Sequence, residues 1–321
     1  MKTMTYGEAI REGMSIRMRE DKNVLLFGED VGAFGGCFGV SAGMFEEFGE
    51  ERVRDTPISE GAIVGAAVGS AATGLRPIAE LMFIDFVTVG MDQLVNQAAK
   101  MRYMFGGKIS LPMVVRMPVG AGVCAAAQHS QSLEAWLTHV PGLKVVYPST
   151  PQDALGLMLS AIDDDNPVIY LEHKILYATK GEVTDFKPIP LGKGDIKRKG
   201  SDVTVVATGN LVHQALDAAN KLLSEGIDVE VIDPRSLYPL DVDMIAESLE
   251  KTHRLIIATE ENKRGSYAGE IAAIIAEDYF DLLDAPIIRV CALDTPVPFS
   301  PPLEQYYLPK SADIVNAIKR F

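Results

Sequence analysis

Two side chains stand among neighbours that suit proton chemistry. Glu60 closes the run Pro57-Ile58-Ser59-Glu60, and the residues after it, Gly61-Ala62-Ile63-Val64-Gly65-Ala66-Ala67-Val68-Gly69, form an apolar helical pattern with glycine at every fourth position. Each glycine costs such a helix roughly 1 kcal/mol against alanine, so close packing on another helix must offset it. A carboxylate at the head of a tightly packed apolar helix can lose its water and share a proton with a ligand nitrogen. The competing reading makes Glu60 a helix-starting acid facing solvent and the positive end of the helix dipole. His129, in Gln128-His129-Ser130, lies between the loop at 119–127 and the helix bearing Trp136, on the C-terminal side of a strand, where open α/β sheets place ligands. There it serves as an acid or base, or else as an ordinary structural histidine.

Three further motifs carry two readings each. Gly39-Val40-Ser41-Ala42-Gly43 matches the Gly-x-Ser-x-Gly pattern of a hydrolase nucleophile elbow. The elbow needs a strand running into the serine, whereas the segment from Gly32 to Gly39 itself contains four glycines and the nearest apolar strand ends at Phe27. An ordinary turn is the better reading. Gly120-Ala121-Gly122-Val123-Cys124-Ala125 follows a strand and fits the relaxed dinucleotide fingerprint, but Val145-Val146-Tyr147-Pro148 offers no acid for a ribose. The alternative is a small-residue loop that lets backbone approach something closely. Asp163-Asp164-Asp165-Asn166-Pro167 reads as a solvated turn or as a set of oxygen ligands for a hard cation.

The elements that must position these residues repeat in two blocks. Thr5 and Glu8 form a capping-box signature ahead of Ile10, Met14 and Met18 at helical spacing, which predicts a helix over 5–20 and a strand at 24–27 after it. Apolar β-like runs at 76–83, 111–117, 143–147 and 167–172 then alternate with helical patterns at 60–74, 87–105, 131–139 and 151–162. That is the pattern of an α/β fold with a doubly wound parallel sheet covered on both faces. The rhythm breaks around Lys187-Pro188, Pro190, Gly192 and Gly194, then restarts in smaller form, with strands at 202–208, 228–232, 254–259 and 287–291. The expected division is a first domain over 1–186, a linker over 187–200 and a second, smaller α/β domain over 201–321.

Length and composition agree with this and exclude several functions. The 321 residues are 47% hydrophobic and 23% charged, as in folded globular chains, and suffice for two cores. The net charge of −14 repels nucleic acid and anionic lipid. The longest apolar stretch, 61–72, is too short to span a bilayer, no secretion pattern precedes the first helix, and the expected location is cytoplasmic. Cys37, Cys124 and Cys291 are far apart in sequence and fit neither a disulfide framework nor a metal-binding pair.

Five segments in fixed order carry a resemblance: Pro57-Ile58-Ser59-Glu60, Gly74-Leu75-Arg76-Pro77, Ala127-Gln128-His129-Ser130-Gln131, Pro141-Gly142-Leu143-Lys144-Val145-Val146 and Thr295-Pro296-Val297-Pro298. The sequence resembles, over essentially its whole length, the β subunit of the thiamine-diphosphate-dependent E1 component of 2-oxoacid dehydrogenase complexes. Glu80-Leu81-Met82-Phe83-Ile84-Asp85-Phe86, the run 99–108 and Glu172-His173-Lys174 look most like the acetoin dehydrogenase β subunit, with pyruvate and branched-chain relatives less close.

The resemblance implies a transketolase pyrimidine-type domain followed by a transketolase C-terminal-like domain. It implies that Glu60 hydrogen-bonds the aminopyrimidine ring of thiamine diphosphate and promotes the tautomer that activates the thiazolium carbon. Phe86 would stack on that ring and Ile58 would touch it. His129 would face the substrate and the incoming lipoyl group. Met113, Ala161, Ile162, Asp164 and Asn166 match positions whose backbone groups hold potassium in several relatives. The Gly-Asp-Gly sequence and later Asn that hold magnesium and diphosphate in such enzymes do not occur in this chain. An E1 α subunit is therefore expected to supply Mg2+ and that half of the site in an α2β2 assembly, with the glycine-spaced helix at the interface. An E2 lipoyl acyltransferase would dock on an acidic face near Asp294.

Overall fold

Thr5 caps the helix Tyr6–Glu20 in the expected manner: its hydroxyl accepts from the Glu8 N–H at 3.1 Å, and the Glu8 carboxylate accepts from the Thr5 N–H at 2.7 Å. The reciprocal bonds satisfy donors that the first helical turn leaves over. Ile10, Met14 and Met18 are buried on the face this cap orients. The strand Val24–Gly28 follows directly. The computed structural model describes all residues from Met1 to Phe321, in two units.

The first unit comprises 1–119 and 136–191. Six of its strands lie in the spatial order Lys144–Val146, Val168–His173, Val114–Val119, Arg76–Glu80, Val24–Gly28, Val53–Asp55. Every pairing among them is parallel, as expected. Strand residues such as Leu26, Ile78, Val115 and Ile169 are wholly buried, because both faces of the sheet are covered. The helix Pro151–Asp163 packs on Tyr6–Glu20, closely enough that a Cβ on Gly13 would lie 2.9 Å from the Cβ of Met158. Lys2–Thr5 adds a short antiparallel pair with Lys180–Val183, which its polar residues did not signal.

The helical pattern at 87–105 is one continuous run with a π segment, Gln93–Ala98, between Val87–Asp92 and Ala99–Met104. The helix Glu60–Ala72 packs on this run. Gly90 makes the approach close, since a Cβ there would meet Val64 Cγ2 at 3.0 Å and the Glu60 carbonyl at 3.4 Å. Gly61 and Gly65 face Val89 and Gln93, whereas a Cβ on Gly69 would meet nothing within 4 Å.

The second unit comprises 120–135 and 192–321. Its sheet has the order Ile288–Ala292, Leu255–Asn262, Val203–Ala207, Val229–Asp233, Asp195–Arg198, with the first four strands parallel and the last antiparallel. Two features differ from the expected ranges. Asp195–Arg198, read as linker, is an edge strand, and its charged residues Asp195, Lys197 and Arg198 suit an edge. Residues 120–135, read as part of the first domain, group with the second unit, because carboxylates of that unit hold their backbone.

Candidate active site

In open parallel sheets ligands collect at the carboxyl ends of strands. Three such ends lie side by side in the first unit, since Gly28 is level with both Asp55 and Glu80. The chain leaves these strands as Glu29, Thr56 and Leu81, and the Thr56 N–H donates to the Gly28 carbonyl at 2.9 Å. Glu60, the first residue of its helix, is 7% exposed, so the reading in which it faces water fails. Glu29 is also buried, and burial together with the charges of Glu60 and Asp30 pushes its carboxyl up. Glu29 Oε1 and Thr56 Oγ1 are buried without a hydrogen-bond partner. Buried polar atoms without partners are costly, and a ligand with donors removes that cost. Ile58, just before the helix that Glu60 opens, is 81% exposed; Phe86, in the turn after the strand Arg76–Glu80, is half-buried, its ring 5.9 Å from that of Phe83 and perpendicular to it. Two acids, an unpartnered hydroxyl and apolar side chains at this end of the sheet suit a flat heterocycle carrying nitrogen donors. The residues present therefore fit the pyrimidine end of thiamine diphosphate.

A buried ionic group lies at the same end of the sheet. Arg116 is fully buried and binds Glu172 through two bonds, Nε to Oε1 at 2.7 Å and Nη2 to Oε2 at 2.6 Å. Its third arm reaches Glu80, and Tyr177 donates to Glu172 Oε2 at 2.7 Å. Glu172 is the counter-ion of Arg116. Glu80 is the excess acid, pushed up to about 7 by burial against the pull of Arg116. Above this group Phe38 stacks on Tyr177 at 5.2 Å, and the Lys174 ammonium sits 5.1 Å from the centre of Phe83. These contacts fix the 83–86 turn from below.

His129 belongs to the second unit, in a segment held by three carboxylates. Ala121 N–H donates to Glu260 Oε1 at 2.5 Å, Gly122 N–H to Glu304 Oε1 at 2.9 Å, and Cys124 N–H to both oxygens of Glu304 at 3.0 and 3.1 Å. Ala135 N–H donates to Glu261 Oε1 at 2.8 Å. Gly120 and Gly122 have φ of +88° and +100°, conformations that glycine supplies without strain. The amides that a dinucleotide pyrophosphate would need at 120–125 are thus committed to carboxylates. His129 itself is half-buried. The hydrogen bond from Cys124 Sγ to Glu304 Oε2 at 3.2 Å pushes the thiol up and away from reactivity.

Ser41 is buried, and its hydroxyl donates to the Val31 carbonyl at 2.8 Å, so it is no nucleophile. At 162–166, Arg76 donates to the carbonyls of Ile162 and Asp164 at 2.9 and 3.3 Å, Lys144 pairs with Asp164, and the Met113 carbonyl accepts from the Val168 N–H. Protein cations already reach this turn. No group of three or more His, Cys, Asp or Glu side chains is placed to hold a metal ion.

Sequence reasoning missed Glu29, Thr56, Glu260, Glu261 and Glu304. The pair Glu29-Asp30 directly after a strand was a usable signal for the first. Nothing local marks the others, which act through long-range contacts with backbone.

Residues 2–180 match the model of the transketolase pyrimidine binding domain, and residues 192–314 match the transketolase C-terminal domain. Over 98% of the chain it is 55% identical to the acetoin:2,6-dichlorophenolindophenol oxidoreductase subunit beta of Bacillus subtilis (strain 168), covering 96% of that protein. The chain belongs to the E1 β-subunit family. It is also 47% identical to the 2-oxoisovalerate dehydrogenase subunit beta of the same organism, covering 100% of this chain and 98% of that one. It is 47% identical to the pyruvate dehydrogenase E1 component subunit beta of Rickettsia felis, covering 99% and 98%. A solved split-gene transketolase, an inactive beta4 tetramer, superposes with a TM-score of 0.81 over 99% of this chain and 97% of that one at 23% identity, a likeness of fold. As a member of this E1 β-subunit family the chain is a subunit of a thiamine-diphosphate-dependent oxidoreductase and has an α-subunit partner. No helix is long and apolar enough to cross a membrane.

Proposed function

We propose that this chain is the β subunit of an E1 that cleaves acetoin and passes the acetyl unit to lipoamide on an E2 acyltransferase, working as an α2β2 assembly. The choice of acetoin is supported by the 55% identity to the acetoin-linked relative against 47% for the 2-oxoisovalerate and pyruvate relatives. The observation that carries the enzymatic reading is the burial of Glu60 near Glu29 at the strand ends, where Glu29 Oε1 and Thr56 Oγ1 have no hydrogen-bond partner. Bound there, thiamine diphosphate would supply a carbon nucleophile that can add to a carbonyl and an electron sink for breaking the adjacent carbon–carbon bond.

The rest falls to side chains of this chain. Glu60 holds a proton jointly with the ring nitrogen, Phe86 and Ile58 cover the ring and exclude water, and Glu29 keeps this end of the sheet acidic. His129 donates or accepts the proton as the two-carbon unit moves to one lipoyl sulfur and the other becomes a thiol. Mg2+ and the diphosphate fall to the α subunit, and Gly69 presents a side-chain-free helix face to that partner. An acidic face near Asp294 docks E2. The ligands of a potassium ion are the carbonyls of Met113, Ala161, Ile162, Asp164 and Asn166, shared with Arg76. Potassium should then raise the melting temperature relative to sodium; an equal melting temperature in both salts leaves the turn to the protein's own cations, Arg76 and Lys144 among them.

The second reading, a pyruvate or branched-chain E1, is favoured by the similar identity to relatives so named. Dye reduction by the reconstituted αβ enzyme with acetoin, pyruvate and 2-oxoisovalerate separates them. A clear preference for either 2-oxoacid overturns the acetoin assignment.

A further inference from the structure

The glycine-rich run that begins at Gly32 offers no nucleophile, yet it is tightly folded. Gly32 N–H donates to Asp55 Oδ1 at 2.6 Å, and Gly36 N–H donates to the Asp30 carbonyl at 2.8 Å. Gly35 has φ of +84°, and a Cβ there would lie 2.8 Å from the Ala42 Cα, so glycine lets the two limbs of the loop approach this closely. The loop sets one aromatic side chain, Phe38, half-buried against the core of the first unit.

Phe38 lies in the middle of a row of five rings. Tyr6 and Tyr177 are tilted, with centres 6.2 Å apart; Tyr177 and Phe38 are stacked at 5.2 Å; Phe38 meets Phe83 edge-on at 5.6 Å; Phe83 and Phe86 are perpendicular at 5.9 Å. The inner end is pinned. The Tyr6 hydroxyl donates to the Pro148 carbonyl at 3.1 Å, and the Tyr177 hydroxyl donates to Glu172, which Arg116 holds by two bonds. At the outer end the Phe86 N–H donates to the Phe83 carbonyl at 3.1 Å, closing the turn Ile84–Phe86. Aromatic pairs favour offset or perpendicular arrangements, so each contact passes on an orientation as well as a distance.

We infer that Phe38 is a positioning residue: stacked on Tyr177 and set edge-on to Phe83, it carries the fixed pose of the buried ionic group outward and holds Phe86 at the angle that covers the pyrimidine ring. The meaning of that angle rests on the proposed role of Phe86, but the row itself does not. Tyr177 is a positioning residue one step further in. Leucine at position 38 keeps most of the apolar volume and loses two aromatic pairs, together worth about a tenfold change in an equilibrium.

Amide hydrogen exchange on the full chain reads the row without cofactor. Phe38→Leu should speed exchange about tenfold in peptides covering 81–90, while the helix Pro151–Asp163 keeps its protection, which separates a loosened turn from a loosened unit. Calorimetric titration of thiamine diphosphate with magnesium into the reconstituted αβ enzyme reads the consequence. Phe38→Leu should weaken binding about tenfold, and Phe38→Leu combined with Phe86→Leu should bind no more weakly than Phe86→Leu alone, because the inner residue acts through the outer one. Unchanged exchange at 81–90, or losses that multiply in the double variant, overturns the inference. Tyr177→Leu, judged by the same two readings, decides the matter if Phe38→Leu does not fold. Undiminished binding by Phe86→Leu removes the ring-covering role, and the meaning given to Phe38 with it, whatever the exchange shows.

Discussion

Replacing Arg116 by methionine should unfold the first unit far more readily at alkaline than at acidic pH. Arg116 is fully buried and holds Glu172 at 2.6 and 2.7 Å while reaching Glu80. Methionine fills much of the volume but leaves two buried carboxylates, one of them with only the Tyr177 hydroxyl. Removing one partner of a buried ion pair costs about 3–5 kcal/mol. The sign of the pH effect follows from proton uptake. In the wild type the Glu80 carboxyl stands at about 7 against an ordinary 4.5, so the native state binds more protons than the unfolded chain between these values. Stability contributed by Glu80 therefore falls as pH rises across that window, by about 3 kcal/mol at ~1.4 kcal/mol per pKa unit. Without Arg116 the Glu80 carboxyl rises further and Glu172 loses its buried cation, so the penalty grows with pH and is largely relieved by protonation. Urea unfolding followed by the fluorescence of Trp136, the single tryptophan and a residue of this unit, reads the effect. The deficit should be several kcal/mol at pH 8 and about 1 kcal/mol at pH 5. A deficit below 1 kcal/mol at pH 8, or the same deficit at both pH values, refutes the reasoning.

Other substitutions separate structural from functional parts. Ser41→Ala loses one buried bond to the Val31 carbonyl and should cost about 1 kcal/mol in thermal unfolding with turnover unchanged; abolished turnover would revive the serine as a nucleophile. Gly69→Ala meets no atom within 4 Å and should stabilise the lone chain by about 1 kcal/mol, while size-exclusion chromatography shows weaker assembly with the α subunit. Undiminished assembly would remove this helix face from the interface. Gly142→Ala should prevent folding or cut soluble yield severely, because φ is +102° and a Cβ would collide with the Ala99 carbonyl; a well-folded variant shows that the backbone there can shift.

Legibility in the sequence followed the range of the interactions involved. The capping box at Thr5, the parallel alternation and the helix after Glu60 are local patterns, and the structure realises them within a few residues. The predicted helix at 131–139 shrinks to Glu134–Thr138, because the preceding backbone is drawn towards Glu260, Glu261 and Glu304 instead. The strand Asp195–Arg198 was hidden because an edge strand needs no apolar run. The C-terminal helices Pro301–Tyr307 and Ser311–Ile318 went unread, the first beginning at a Pro-Pro pair that usually marks a loop. At the site, Glu60 announced itself through the glycines behind it. Glu29 left a trace, the acidic pair after its strand, whereas Thr56 acquires meaning only when parallel pairing sets three strand ends level.

The central claim, a cofactor site of which this chain builds only half, is tested most directly by calorimetric titration of thiamine diphosphate with magnesium into the chain alone, the reconstituted αβ enzyme and the αβ enzyme with Glu60→Gln. Tight binding should require the α subunit, and the Glu60→Gln enzyme should turn over at least a hundredfold more slowly. Tight binding and turnover by the chain alone, or full activity with glutamine at position 60, would contradict the account.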